Sequence, residues 1–264
     1  MTKLVYIGGY GHSGSTLIEY LMTGCRDVIA CGEVAGARGE TAKTRMCSCG
    51  RRGGVPSVER IFQSSLRSRS LALRKFGAGP PPANLERTCR HGRLVENGLE
   101  HAAAPFRFGR KLGQDSVLVH MVRDPRGVCW SLIKRNERVR KPANDILTLH
   151  LDCPGRCFAN LACELFSWIY PNQYQRVRYE DLVRSAHRVL TELVQELLPE
   201  REWRFEHIGT SDNRHQLFGN RMRLQLLSPV DIREDDAWRT SMPTRLQWFI
   251  RNLCWPLCDR YDYR

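Results

Sequence analysis

The stretch from Gly8 to Leu17, GGYGHSGSTL, constrains this chain more than any other, because it follows directly on the short apolar run KLVYI at 3–7. An apolar run ending in glycines, then Leu17, Ile18, Leu21 and Met22 at helical spacing, predicts strand, loop and helix in that order. Glycines in such a turn let backbone N–H groups curl around an anion, and a helix starting near Ser15 adds the positive end of its dipole. The hydroxyls of Ser13, Ser15 and Thr16 add donors. The string fits the phosphate-loop pattern GxxxxGK[ST] from Gly9 through Gly14 to Thr16, except that Ser15 stands in the lysine position. That lysine reaches the β- and γ-phosphates in nucleotide hydrolysis, so its absence points to a different anion.

The remaining pattern predicts an α/β fold: a P-loop-type parallel sheet flanked by helices. A second strand is expected at 27–31, and SVLVHMV at 116–122 is continuously apolar, as suits a parallel strand buried on both faces. Asp124 and Pro125 read as N-cap and first-turn proline of a helix running to about Arg135. A helix is expected over 158–170, a strand over 174–178, and an amphipathic helix over 185–198 with Leu190, Leu193, Val194 and Leu197 on one face. The range 40–115 contains the breaker cluster GAGPPPAN at 77–84 and reads as an insertion covering one end of a single domain spanning 1–264.

A formal net charge of +13 favours an anionic partner without choosing one. The N-terminus lacks a secretion signal's apolar core and cleavage site, and no run of eighteen apolar residues occurs, so a cytoplasmic protein without a transmembrane segment is expected. Eleven cysteines, an odd and scattered set, read as reduced thiols. The pairs Cys47 with Cys49, Cys153 with Cys157 and Cys254 with Cys258 have mixed spacings unlike zinc sites, and no metal is expected. A local disulfide across CPGRC, Cys153 to Cys157, is the alternative for that pair. Trp248, Phe249, Leu253 and Trp255 are read as core packing in preference to a membrane-facing surface.

HSGST, His12 to Thr16, resembles the loop [KR]-S-G-[ST]-[ST] with which sulfotransferases using 3'-phosphoadenosine 5'-phosphosulfate (PAPS) receive the 5'-phosphosulfate, with His12 in place of Lys or Arg. RDPRGVCWS, Arg123 to Ser131, resembles that family's second anchor, in which the arginine and serine hold the 3'-phosphate. VRYEDL at 177–182 is similar to the turn near the adenine, which brings in Tyr179, and GNRMR at 219–223 to the late loop, where Arg221 or Arg223 closes over the 3'-phosphate. The resemblance implies a cofactor set of Gly11, His12, Ser13, Gly14, Ser15, Thr16, Arg123, Ser131, Tyr179, Arg221 and Arg223, with PAPS as donor and adenosine 3',5'-bisphosphate as product. It also implies a catalytic part for His12 and a general base. Glu33, in ACGEV, resembles the CGE glutamate of tyrosylprotein sulfotransferases, and His91 and His101 are the second choice.

The reaction so implied is in-line sulfuryl transfer to an acceptor hydroxyl with base assistance, and it requires no metal. The acceptor, whether glycan, lipid, natural product or tyrosine, is not legible. One rival is a P-loop small-molecule kinase with Asp124 holding Mg²⁺ for ATP; Arg123 and Pro125 on either side suit a helix cap better. A basic nucleic-acid binder using the arginines of 51–75 is the other, but no zinc finger, RNP string or aromatic platform supports it, and nucleic acid is not an expected partner.

Overall fold

The computed structural model describes residues 4–25, 28–30, 93–97, 116–138, 145–208 and 232–263. Its strands are β1 (Leu4–Gly8), β2 (Val28–Ala30), β3 (Arg93–Asn97), β4 (Ser116–Val122) and β5 (Tyr174–Arg178). Its α-helices are α1 (Ser15–Met22), α2 (Pro125–Arg138), α3 (Asp145–Ile169), α4 (Tyr179–Arg184), α5 (Ala186–Leu197), α6 (Trp238–Ser241), α7 (Thr244–Leu253) and α8 (Trp255–Arg260).

The strands form one five-stranded sheet in the order β2-β3-β1-β4-β5, and every pairing is parallel. Parallel neighbours need crossover connections that cover the sheet faces, which is why β4 is buried at all seven positions and has no polar alternation. The register pairs Gly8 with His120 and Val122 with Arg178. The turn after β1 therefore leaves the sheet beside the carboxyl ends of β4 and β5, the edge at which ligands bind in open α/β sheets.

Strand pleating sends alternate side chains to opposite faces. Val5, Ile7, Val117, Val119 and Met121 pack with Ile18, Leu21 and Met22 of α1 and with Leu190, Leu193, Val194 and Leu197 of α5. Tyr6 and Leu118 pack with Cys163 and Phe166 of α3 on the other face. A third cluster joins Cys129 and Ile133 of α2 to Trp238, Met242 and Ile250, and a fourth joins Val122 to Cys254, Leu257, Cys258, Tyr261 and Tyr263. The C-terminal segment thus closes over the end of the sheet.

The structure departs from the sequence expectations at three places. Helix α3 begins at Asp145, upstream of the expected start at 158, and runs through Pro154 and Gly155, residues that locally predict a break. Trp248 and Trp255 are 67% and 62% exposed and Leu253 is 39% exposed, so only Phe249 of that group packs against the core. Helix α7 turns Ile250 inward and Trp248 outward. Arg93–Asn97, inside the range read as an insertion, lies in the sheet between β1 and β2. Among the described residues no helix is long and apolar enough to cross a membrane.

One polar side chain interrupts the apolar strand β4. His120 is fully buried, with Nε2 2.8 Å from Asn160 Oδ1 and Nδ1 2.8 Å from the Tyr174 hydroxyl. The Tyr174 hydroxyl in turn donates to Glu164 Oε1 at 3.2 Å, so the ring meets a polar partner at each nitrogen. Burial is the main cause that lowers its pKa to about 4, against the opposing pull of the Asn160 bond and the Glu164 carboxylate. Between pH 6.5 and that value the unfolded chain takes up a proton that the folded chain refuses, so stability falls on acidification through this window. Urea titrations are expected to show a loss of about 2 kcal/mol between about pH 6.5 and about pH 5 from this residue. His120→Gln is expected to flatten that interval.

Candidate functional site

The turn between β1 and α1 is held by three residues in left-handed backbone conformations, Gly9 (φ 122°), His12 (φ 67°) and Gly14 (φ 95°). A Cβ at Gly9 would stand 2.3 Å from the Met121 carbonyl oxygen, and one at Gly14 would stand 2.6 Å from Tyr179 Cδ2. Both positions therefore require glycine on two grounds, backbone conformation and space. The Ser13 N–H donates to the Tyr10 carbonyl at 3.2 Å, which closes the turn. Helix α1 then starts from Gly14, with no side-chain cap and no acidic residue in its first turn. Its N-terminal N–H groups and dipole present positive potential to the loop. Ser15 is buried and Gly11 and Thr16 are half-buried. The Ser13 hydroxyl is buried without a hydrogen-bond partner.

His12 occupies a conformation uncommon for a residue with a side chain, and its contacts show what holds it there. Its carbonyl accepts a hydrogen bond from Arg123 Nη1 at 3.0 Å, and its Nδ1 lies 2.9 Å from Ser131 Oγ. Two segments separated by more than a hundred residues in sequence thereby meet at one histidine. Arg123 leaves the end of β4, and Ser131 lies on α2, two turns beyond the start of that helix. The Arg123 guanidinium also stacks 4.2 Å from the centroid of the Tyr179 ring, the same ring that packs against Gly14. Of the residues singled out in the sequence, His12, Ser13, Gly14, Arg123, Ser131 and Tyr179 are assembled at one place.

Sequence reasoning missed Asp235. Its carbonyl oxygen and Oδ2 accept from Arg123 Nη2 at 2.9 and 3.1 Å, and its N–H donates to the Tyr179 hydroxyl at 3.3 Å. Nothing in the string REDDAW marks that position for such a contact. It also missed the cleft beside the loop, where Tyr10, Ser13 and Arg123 face Asn160, Cys157 and Tyr261. The second and third of these belong to the two anchors, whereas the last three come from α3 and the C-terminal segment and carry no motif.

Asp124 caps α2 as expected: its Oδ1 accepts from the Arg126 N–H at 2.9 Å. Both carboxylate oxygens are further engaged by Arg126, at 3.0 Å from Nε and 2.7 Å from Nη2. A carboxylate so occupied is built as a cap and ion pair, the geometry opposed to the metal-holding aspartate of a kinase. The backbone N–H of Asp124 donates to Glu180 Oε1 at 3.1 Å, and the Tyr263 hydroxyl donates to Glu180 Oε2 at 2.8 Å. These bonds fix the exit of β4 against α4. The sulfur of Cys157 lies 3.7 Å from that of Cys254, and burial pushes the Cys258 thiol up to about 12. Glu33, His91, His101, Arg221 and Arg223 lie outside the described residues.

No protein-family model matches the chain, and no curated protein matches it by sequence. Solved structures match it along its length. The sulfotransferase domain from the Synechococcus PCC 7002 olefin synthase is 17% identical, over 100% of this chain and 95% of that one, with a TM-score of 0.58. The sulfotransferase domain from the curacin biosynthetic pathway is 15% identical, over 100% and 99%, with a TM-score of 0.59. Mouse sulfotransferase SULT7A1, solved in complex with PAP, is 11% identical, over 96% and 82%, with a TM-score of 0.54. At such identities the likeness is one of backbone architecture, and on that ground the chain carries the sulfotransferase fold.

Proposed function

We propose that the chain transfers a sulfuryl group from PAPS to an acceptor hydroxyl. The observation that carries the reading is the convergence of Arg123 and Ser131 on His12, at 3.0 and 2.9 Å, beside an uncapped helix start. A doubly phosphorylated nucleotide needs two anion cradles on adjacent elements, and the approach of the Arg123–Ser131 segment to the loop supports that reading. The residues present suit such a ligand: the buried Ser13 hydroxyl lacks a partner, and the turn leaves no room for side chains at Gly9 and Gly14. The shared fold with a sulfotransferase solved in complex with PAP adds support.

In this reading Gly11 to Thr16 hold the phosphosulfate end, and Arg123 and Ser131 hold the 3'-phosphate, with Tyr179 beside the nucleoside and Arg221 or Arg223 closing over it. PAPS supplies the activated sulfuryl group when bound. The chain contributes fixed donors where the leaving phosphate gains charge, which costs no reorganisation during the reaction. His12, tied to Ser131 and Arg123, is oriented before any ligand arrives. Glu33 is assigned as the base that takes the acceptor's proton, with His91 or His101 as the alternative. The acceptor carries a hydroxyl on a glycan, lipid, natural product or tyrosine.

Arg123 is already engaged by Asp235, so a phosphate must displace that carboxylate to gain Nη2. Adenosine 3',5'-bisphosphate at a hundredfold over its dissociation constant is expected to stabilise the chain by about 2.7 kcal/mol in thermal-shift measurements, without metal. ATP with Mg²⁺ is expected to give no such shift, and the reverse preference would replace this reading by a kinase. Arg123→Ala is expected to weaken bisphosphate binding by about 10- to 100-fold and Ser131→Ala by less, since only the first removes a charged donor. Asp235→Asn is expected to tighten binding in the same titration, because the competitor loses its charge. In turnover assays with PAPS, Glu33→Gln is expected to abolish transfer and leave bisphosphate affinity unchanged; activity within about tenfold of the parent would remove Glu33 from the mechanism.

A further inference from the structure

From Phe158 to Ile169 helix α3 buries one side and, among the described residues, leaves the other uncovered. Phe158, Leu161, Leu165, Trp168 and Ile169 are 64%, 48%, 46%, 76% and 52% exposed, whereas Cys163, Glu164 and Phe166 are buried. At 100° per residue the five exposed side chains fall within an arc of about 100°, running about 17 Å along the helix. The intervals 158, 161, 165 and 168 are three, four and three residues, the spacing with which one helix seats its knobs between those of another. Ala162 lies beside this seam and leaves space for a knob.

The face is also without charge. From Phe158 to Tyr170 the one residue charged at neutral pH is Glu164, which is turned inward and held by Arg260 at 3.2 Å. Arg260 and Arg176, at 3.6 Å from the same carboxylate, stand along one margin only. A chain of net charge +13 repels its own copies over most of its surface, so a stable contact between two copies must use a surface of this kind. An anionic membrane would instead be met by cations spread along the helix, and this stretch contains no lysine or arginine.

We infer that α3 pairs with α3 of a second copy of this chain in a two-fold, antiparallel contact, with Leu161 opposite Leu165 and Phe158 opposite Trp168. The symmetry makes the patch its own complement. The exposed side chains offer roughly 500–600 Å² per copy and about 1,100 Å² across the pair, near the lower bound for specific interfaces. The contact is therefore reversible, and salt strengthens it by screening the mutual repulsion of the two copies.

Sedimentation velocity of the full chain across a concentration series tests this. The expected result is a concentration-dependent species of twice the 30.5 kDa chain mass, favoured by added salt. Leu165→Glu and Leu161→Lys are each expected to stay monomeric with unchanged circular dichroism and melting temperature, and their equimolar mixture to recover the dimer, because the new charges face each other only in the mixed pair. Trp168→Ala, a milder change at the most exposed position, is expected to weaken association by at least about tenfold, as a buried interfacial tryptophan does. A parent chain that remains monomeric, with or without binding to phosphatidylserine vesicles, would overturn the inference. So would dimers that tolerate both leucine variants, or monomeric variants that fail to recover on mixing.

Discussion

The hydrogen bond from Arg123 to the carbonyl of His12 is the contact on which the site depends. It ties the turn after β1 to the end of β4, and it does so with a guanidinium whose side chain is only 6% exposed. A charge so far removed from water is tolerable only when its donors are used, and here they are met by two backbone carbonyls, the Asp235 carboxylate and the face of Tyr179. Each of these partners is thereby placed. His12 is held at positive φ, Tyr179 is pressed against Gly14, and the 232–237 segment is brought over the loop.

The sheet supplies the rigid base for that contact. Parallel pairing in register brings Gly8 beside His120 and Val122 beside Arg178, so the loop and both strand exits emerge at one edge. His120, Asn160, Tyr174 and Glu164 form a polar group beneath this edge, linked by contacts of 2.8 Å from His120 to Asn160 and to Tyr174 and of 3.2 Å from Tyr174 to Glu164. Such a group specifies how α3 and β5 sit on β4, because any shift would leave a buried ring nitrogen unmatched. The cost is a neutral imidazole held below its ordinary pKa.

Much of this was legible residue by residue. β4 and β5 occupy the spans expected from SVLVHMV and YQRVR, because an apolar run and its terminators are local features. The N-cap at Asp124 and the inward face of α5 were readable for the same reason. By contrast, RLVEN at 93–97 has too few apolar residues to announce a strand, and it is a strand because β1 and β2 flank it. Pro154 and Gly155 argue locally for a break, yet α3 continues through them. Spacing showed which residues of α7 share a face, and could not show that Trp248 stands exposed.

The candidate site divides along the same line. The sequence by itself determined the glycine-rich turn and the helix start that follows it, since glycine placement, hydroxyls and the following helix are set by neighbours in the chain. It also determined that an arginine ends the best strand and a serine follows on the next helix. Only the tertiary structure decided that these two segments meet at His12, that Asp235 engages Arg123, and that Asp124 is paired with Arg126. Those are contacts between residues far apart in the chain or choices among several polar partners, and they are settled by strand order and register, which no local pattern encodes.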